Sequence, residues 1–310
     1  MSRMRELRAW LSRGDRRREQ RDLVFGLNRR NVELIYAHNR RRDYPLADDK
    51  ILCKQHLAAA GIPVPETVAV CRGLFEVDRT LAKLADEDNF VVKPAGGSGG
   101  DGILVLGRRE ELGWSTPKGR PVSPLELRQH LANITFGSFS KQLEDHALVE
   151  RRIRPHALYD AFWPDGVCDL RIIVLAGRPI LAMVRVPTRR SGGRANLHQG
   201  GIGVAVDVDT GVTYRAVSQG RSLTIHPESG ERLVGRELPH WQLCVEIATR
   251  CSKESPLGYL GVDLCVDADH GPVVLELNVR PGLEIQNVCQ RPLGHALAAA
   301  GFGAEPEGEA

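Results

Sequence analysis

The chain has no apolar run near the roughly 20 residues that a membrane helix requires, and no apolar stretch follows Arg3, Arg5 and Arg8 at its start. A membrane span and a secretory signal are therefore not expected, and the reading is a cytoplasmic protein. No two of the seven cysteines (Cys53, Cys71, Cys168, Cys244, Cys251, Cys265, Cys289) are spaced C-x-x-C. That argues against a zinc site or disulfide framework and for reduced, partly buried thiols. No G-K-[ST] follows a glycine loop, so a Walker A phosphate loop is excluded. No internal repeat is visible.

What is present is a 310-residue chain, 42% hydrophobic and 26% charged with 32 glycines, large enough for two lobes with real cores. Charge is uneven. Residues 1–42 hold thirteen arginines against five acids, a local +8, while the remaining 268 residues carry −5. With no aromatic interleaving for base stacking, a nucleic-acid or anionic-membrane arm is the weaker reading. A helical segment packing Leu7, Trp10, Leu11, Leu23, Phe25 and Leu27 on the main body is the stronger.

Coarse patterning gives a helix from Asp48 or Asp49 with Ile51, Leu52, Gln55, Leu57 and Ala58 on one face, ended by Gly61 and Pro63. "NFVVKPAGGSGGDGILVLG" reads as strand, glycine loop, strand. Residues 113–122 read as a mobile connector before the helix "PLELRQHLANI". Strand signals then dominate, interrupted by the amphipathic helix "LPHWQLCVEIATRCSKE", and "GFGAEPEGEA" reads as a disordered tail.

In "YLGVDLCVDADHGPVVLELNV" two apolar runs flank turn formers, predicting an antiparallel hairpin with Asp263 beside Leu275 and Glu276. Strict alternation puts Val274, Glu276 and Asn278 on one face. Two carboxylates converging there repel, which a proton or a cation relieves. Either the face is open to solvent or its oxygen ligands Asp263, Glu276 and Asn278 hold Mg²⁺. The glycine loop favours the second reading. Lys93 ends a strand and Gly96, Gly97, Ser98, Gly99, Gly100 and Gly102 follow, a set of backbone donors able to close over phosphates beside a point charge.

Lys50 before a helix, Lys93 before the glycine loop, "LVERRI" as a hinge strand and "GVDL…LELNVRPGLE" together resemble the ATP-grasp superfamily. The block 169–203, with D-L-R and then R-A-N-L-H-Q-G-G, is similar to the RimK-type α-L-glutamate ligase branch. The resemblance implies an α+β ATP-grasp fold in which two α/β lobes with antiparallel sheets clasp ATP. Its divisions would be a basic helical segment at 1–49, a glycine-loop lobe at 50–149, a metal and substrate lobe at 150–296 and a tail at 297–310.

By position it implies Lys50 and Lys93 on the α- and β-phosphates, Gly96 to Gly102 over the β/γ-phosphates, and adenine against Glu150, Arg152 and Ile153. His198 would line the γ-phosphate and substrate, as a loop hydrogen-bonding residue rather than a general base. Arg171, Arg185, Arg194 and Asn196 would line the γ-phosphate and the carboxylate substrate. Asp263, Glu276 and Asn278 would ligate Mg²⁺, or Mn²⁺ in its place. Arg280 stands where related ligases often have serine, adding positive charge toward an anionic acceptor. Read without the resemblance, Arg171 and Arg185 are ion-pair arginines, Asp169 caps its strand and Glu150 is a rim carboxylate.

The implied activity is ATP- and Mg²⁺-dependent joining of an amino acid such as glutamate to a peptide or small acid through an acylphosphate. A nucleotide-binding scaffold without turnover and a kinase on the same fold are the alternatives. The partners expected are an amino acid and a carboxylate or peptide acceptor, not nucleic acid, with a homo-oligomer left open.

Overall fold

The computed structural model describes residues 23–97, 99–111, 113–140 and 144–302. The expectations for Leu7, Trp10, Leu11, Ser98 and most of the tail lie outside the described residues. No helix among the described residues is long and apolar enough to cross a membrane.

The first lobe is a four-stranded antiparallel sheet in the order β1 (Thr67–Cys71), β7 (Ala147–Arg151), β2 (Phe90–Pro94), β3 (Leu104–Leu106). Its outer face buries Ala69, Phe90, Val92 and Val149 against α4 (Val77–Leu84) and α5 (Pro124–Thr135), which contribute Leu84, Leu127, Leu131 and Ile134. The inner face carries Val91, Lys93, Leu148 and Glu150, because Lys93 lies opposite Leu148 and Val91 opposite Glu150. Helix α3 (Lys50–Ala59), capped by the Asp49 side chain on the N–H groups of Ile51 and Leu52, meets this face through Ile51. Its buried residues include Cys53, Lys54 and Leu57, whereas Leu52, expected inside, is exposed.

The stretch 113–122 is not an irregular connector. It holds β5 (Gly113–Ser115) and β6 (Pro121–Val122), which with β4 (Arg109–Glu110) form a small antiparallel sheet. Trp114 anchors it, edge-on to the Phe90 ring at 5.8 Å. The prolines and charges that suggested mobility sit at its turn, while a buried tryptophan holds its middle.

The second lobe is a seven-stranded antiparallel sheet, in the order β12 (Arg221–Leu223), β11 (Thr213–Ser218), β10 (Ile202–Val206), β9 (Arg178–Val186), β8 (Asp169–Leu175), β13 (Tyr259–Asp267), β14 (Gly271–Asn278). One face packs Ile172, Val184, Val204, Val262 and Leu264 on α7 (Trp241–Glu254), on α6 (Ala157–Phe162) and on Cys53 and Leu57 of α3. The other face is divided. Ile173, Leu175, Leu181, Met183 and Ala205 are covered by α8 (Glu284–Cys289), α9 (Leu293–Ala299) and residues 25–35, and the rest of that face is charged.

Three expected boundaries move. Phe25, Leu34 and Ile35 belong to the second lobe's core, so the described residues 23–49 form part of that lobe. β7 runs through residue 150 and belongs to the first sheet. Leu297 is buried and Phe302 packs beside it, so the folded chain passes residue 296.

Close approach of α8 to the sheet depends on Gly203, where an added Cβ would lie 2.5 Å from Val288. Gly203→Ala is expected to cost about 1–3 kcal/mol in urea unfolding, most of it recovered by adding Val288→Ala. An additive pair would show that the two positions are not in contact.

Candidate functional site

The hairpin β13–β14 pairs Asp263 with Glu276, but Leu264 pairs with Val274, leaving Leu275 as a bulge. The extra residue breaks the alternation. Val274 joins the core with Leu277, and the face of Glu276 and Asn278 is shared with Val273, opposite the strict period-2 expectation. The bulge lets two adjacent apolar residues be buried or paired while the carboxylate and amide stay on the site face.

Across that face the register sets Asp169 opposite Arg185 and Arg171 opposite Asp263. Arg171 grips Asp263 through Nε at 2.7 Å and Nη2 at 2.6 Å, and Arg185 Nη2 donates to Asp263 Oδ2 at 2.7 Å. Arg185 also holds Asp169 with two bonds of 2.5 and 2.8 Å. The cation that relieves the paired carboxylates is thus a guanidinium, supplied twice. Burial alone pushes Asp263 up, yet Arg171 and Arg185 hold it well below the usual carboxylate range. The like-charge elevation expected for a metal-free site is absent at this residue. Asp169 shares a single guanidinium, and burial pushes it up to about 6. It is no simple strand cap; sequence reading missed it because its partner lies on the neighbouring strand.

Glu276 is more open. Its Oε1 accepts from Asn278 Nδ2 at 3.4 Å, and its Oε2 lies 3.8 Å from Lys50 Nζ. Lys50 reaches it from the start of α3 while donating to Gly97 O and, at 3.3 Å, to Ala95 O. Burial lowers the Lys50 pKa, with Glu276 pulling the other way. A lysine therefore stands between the root of the glycine loop and the carboxylate of the second lobe.

The glycine loop has positive φ at Gly99, Gly100 and Gly102. A side chain at Gly102 would strike Phe139, and one at Gly97 would strike Pro94. Its root is tied by Asp145, whose Oδ1 accepts from Gly96 N at 3.0 Å. From the other lobe Arg194 Nη1 bonds Asp101 at 2.7 Å, and an added Cβ at Gly99 would lie 3.8 Å from Asn196 Nδ2. Loop and lobe thus meet at Arg194 and Asn196.

Lys93 and Glu150 are buried on the inner face, Lys93 Nζ bonding Glu150 Oε2 at 2.6 Å while Lys54 takes Oε1. Glu150 is not a rim carboxylate, and its two oxygens are occupied by lysines rather than presented to an adenine. Arg152 donates its backbone N–H to Asn89 O at 2.7 Å, and Ile153 is half-buried beside it. His198 is exposed on the turn Leu197–Gln199, where its backbone N–H caps onto Asn196 Oδ1. Arg280 makes its contacts with Asp48 at 3.3 Å and the Tyr44 ring at 5.2 Å.

Among the described residues no group of three or more His, Cys, Asp or Glu side chains could hold a metal. The donor set suits a hard cation that keeps its own water and phosphate oxygens, with Glu276 and Asn278 Oδ1 as protein ligands. Asp263 Oδ2 already accepts from Arg171, Arg185 and, at 3.2 Å, from Asn278. It would join only by exchanging a guanidinium.

Two antiparallel lobes, one with a lysine-led glycine loop and the other with an acid and amide ledge, define the ATP-grasp class. Within that class, the family described as sugar-transfer associated ATP-grasp matches residues 29–300, and the chain belongs to it. A probable alpha-L-glutamate ligase of Maridesulfovibrio salexigens is 28% identical over 81% of this chain and 61% of the relative. One from Trichodesmium erythraeum is 34% identical over 76% of this chain and 57% of its own. The chain thus spans about three-fifths of the length of these relatives. The likeness read from residues 169–203 agrees with their naming. A biotin carboxylase from Campylobacter jejuni, solved as a beta-gamma-ATP complex, shares the fold over 84% of this chain and 48% of its own, at TM-score 0.51 and 15% identity.

Proposed function

We propose that the chain is an ATP- and Mg²⁺-dependent carboxylate–amine ligase. The observation that carries this is Lys50, set between the carbonyls of the glycine-loop root and Glu276 of the facing lobe. That arrangement suits a chain of phosphates passing from one lobe to the other. Lys50 and Lys93 supply positive charge to the phosphates and the loop N–H groups of residues 96–102 cover them. The backbone at 151–153 edges the adenine. Arg194 and Asn196, already against the loop, meet the transferring phosphoryl group and the substrate carboxylate, with His198 and Arg280 on the acceptor side. Arg171 and Arg185 act through Asp263, holding the ledge rather than the substrate. When bound to Glu276 and Asn278, Mg²⁺ neutralises charge between phosphate oxygens.

The reaction needs no enzyme nucleophile. The acceptor carboxylate oxygen attacks the γ-phosphorus and ADP leaves, giving an acylphosphate. An amine then attacks the acyl carbon, phosphate departs with its bonding electrons, and the nitrogen loses a proton as the amide forms. The cationic groups lower the cost of charge gathering on the transferring phosphoryl group and on the tetrahedral acyl intermediate. Glutamate is the leading amine on the strength of the curated relatives, with peptides and small acids as the acceptors to be tried. ADP release across that panel, with mass spectrometry of products, tests the proposal. Phosphorylated acid without amide would make the chain a kinase, and absence of ADP with bound ATP would make it a scaffold.

Glu276→Gln gives the metal half of the test. Mg²⁺–ATP at a hundredfold excess over Kd is expected to stabilise the wild type by about 2.7 kcal/mol and the variant by much less. Equal thermal shifts would remove Glu276 from the metal site.

A further inference from the structure

One buried carboxylate in the first lobe has two lysines. Glu150 is 4% exposed, and its two oxygens are taken by Lys93 Nζ and Lys54 Nζ. The two lysines come from different directions. Lys93 lies on the sheet itself, one strand over from Glu150 on the same face. Lys54 descends from α3, one turn after Lys50, and a second bond of 2.5 Å to Pro65 O ties it to the segment leading into β1. Both lysines cannot be required merely to neutralise one charge, since a single close ammonium does that. The surplus has a use if one of them must leave.

We propose that Lys54 is a positioning residue that keeps Glu150 paired, so that Lys93 can move from the carboxylate to a nucleotide phosphate. The inference rests on the nucleotide-binding reading above. In the arrangement seen, Glu150 holds Lys93 in reserve. Withdrawing Lys93 from a carboxylate with no other counter-ion would strand a buried charge, among the costlier events in a protein interior. With Lys54 anchored on Pro65 O and unable to follow, Glu150 stays paired and hydrogen-bonded throughout. Burial pushes Glu150 up while the two lysines outweigh it and keep the carboxylate ionised, so the surplus charge is real. Lys54 itself is lowered by burial, with the Glu150 carboxylate pulling the other way.

The test is a double-mutant cycle on Mg²⁺–ATP affinity, measured by calorimetry, with unfolding followed in parallel. Lys54→Met leaves Glu150 only Lys93, which is then held, and ATP affinity is expected to fall tenfold or more. In the Glu150→Gln background the carboxylate is gone, and adding Lys54→Met is expected to change affinity less than threefold. That background also keeps the cycle readable if Lys54→Met alone does not fold. Lys54→Arg should retain affinity, because a guanidinium can pair with the same oxygen. A merely structural Lys54 would lower the melting temperature with Kd unchanged, and this overturns the inference. A tenfold loss that persists in the Glu150→Gln background overturns it too, since Lys54 would then act on the nucleotide directly. If the wild type itself shows no heat of binding with Mg²⁺–ATP while remaining folded, the nucleotide reading falls and the inference with it.

Discussion

A chain beginning at Tyr44 is expected to lose most of its stability relative to one beginning at Leu23. Sequence alone drew a division at residue 50 but expected the preceding segment to pack Leu23, Phe25 and Leu27 on the main body. The structure places Phe25, Leu34 and Ile35 in the core beneath the seven-stranded sheet, packed with Ile173, Tyr259 and Leu293. Burying each such side chain contributes roughly 1.5–3 kcal/mol, so the three together approach the whole stability of an ordinary domain, about 5–15 kcal/mol. Polar partners would also be orphaned. Gln286 bonds both the N–H and the C=O of Phe25, and Asn39 does the same for Tyr259. Arg30 Nη1 donates to Pro281 O at 2.6 Å, shortly after Asn278 in the chain. Urea unfolding of the two truncations decides the matter. A Tyr44 chain within about 1 kcal/mol of the Leu23 chain would show that the segment is dispensable after all.

Arg185→Met is expected to destabilise the protein by about 3–5 kcal/mol, the range for removing one partner from a buried ion pair. The guanidinium bonds Asp169 and Asp263 at once, and for Asp169 it is the cation that offsets burial of the carboxylate. Asp263 would keep Arg171, but Asp169 would be left without its bidentate partner. Adding Asp169→Asn should therefore recover a large part of the loss, because a neutral amide replaces the stranded charge. A loss below about 1 kcal/mol, or none recovered in the double variant, would mean that water already reaches the network and that the pair is of the weak surface kind.

Much of the architecture was readable from local pattern. The hairpin around Asp263 and Glu276, the strand leading to Lys93, the glycine loop and helix Trp241–Glu254 each declare themselves through alternation, helical spacing or turn residues. These are properties of neighbours along the chain, and the sequence contains all of them. Counting back from the short turn brings Asp263 alongside Leu275 and Glu276, and the bulge settles which of the two it pairs with.

What stayed hidden depended on residues distant in sequence. The bulge at Leu275 cannot be read from alternation, since it arises where β14 must satisfy both the core under Val274 and the ledge at Glu276. Asp169 and Arg185 are sixteen residues apart, and only the β8–β9 register makes them one unit with Asp263. Glu150 looked like a hinge carboxylate until α3 and β2 closed over it with a lysine each. By itself, then, the sequence determined most of the strands and helices, though not the small sheet at 113–122, and which side chains are candidates to bind phosphate or metal. The tertiary structure decided which of those charges are spent on one another and which are left for a ligand. The reason is physical: a periodic pattern reports burial on one face, but the partner of a buried charge is chosen by whichever distant group packing brings within about 3 Å.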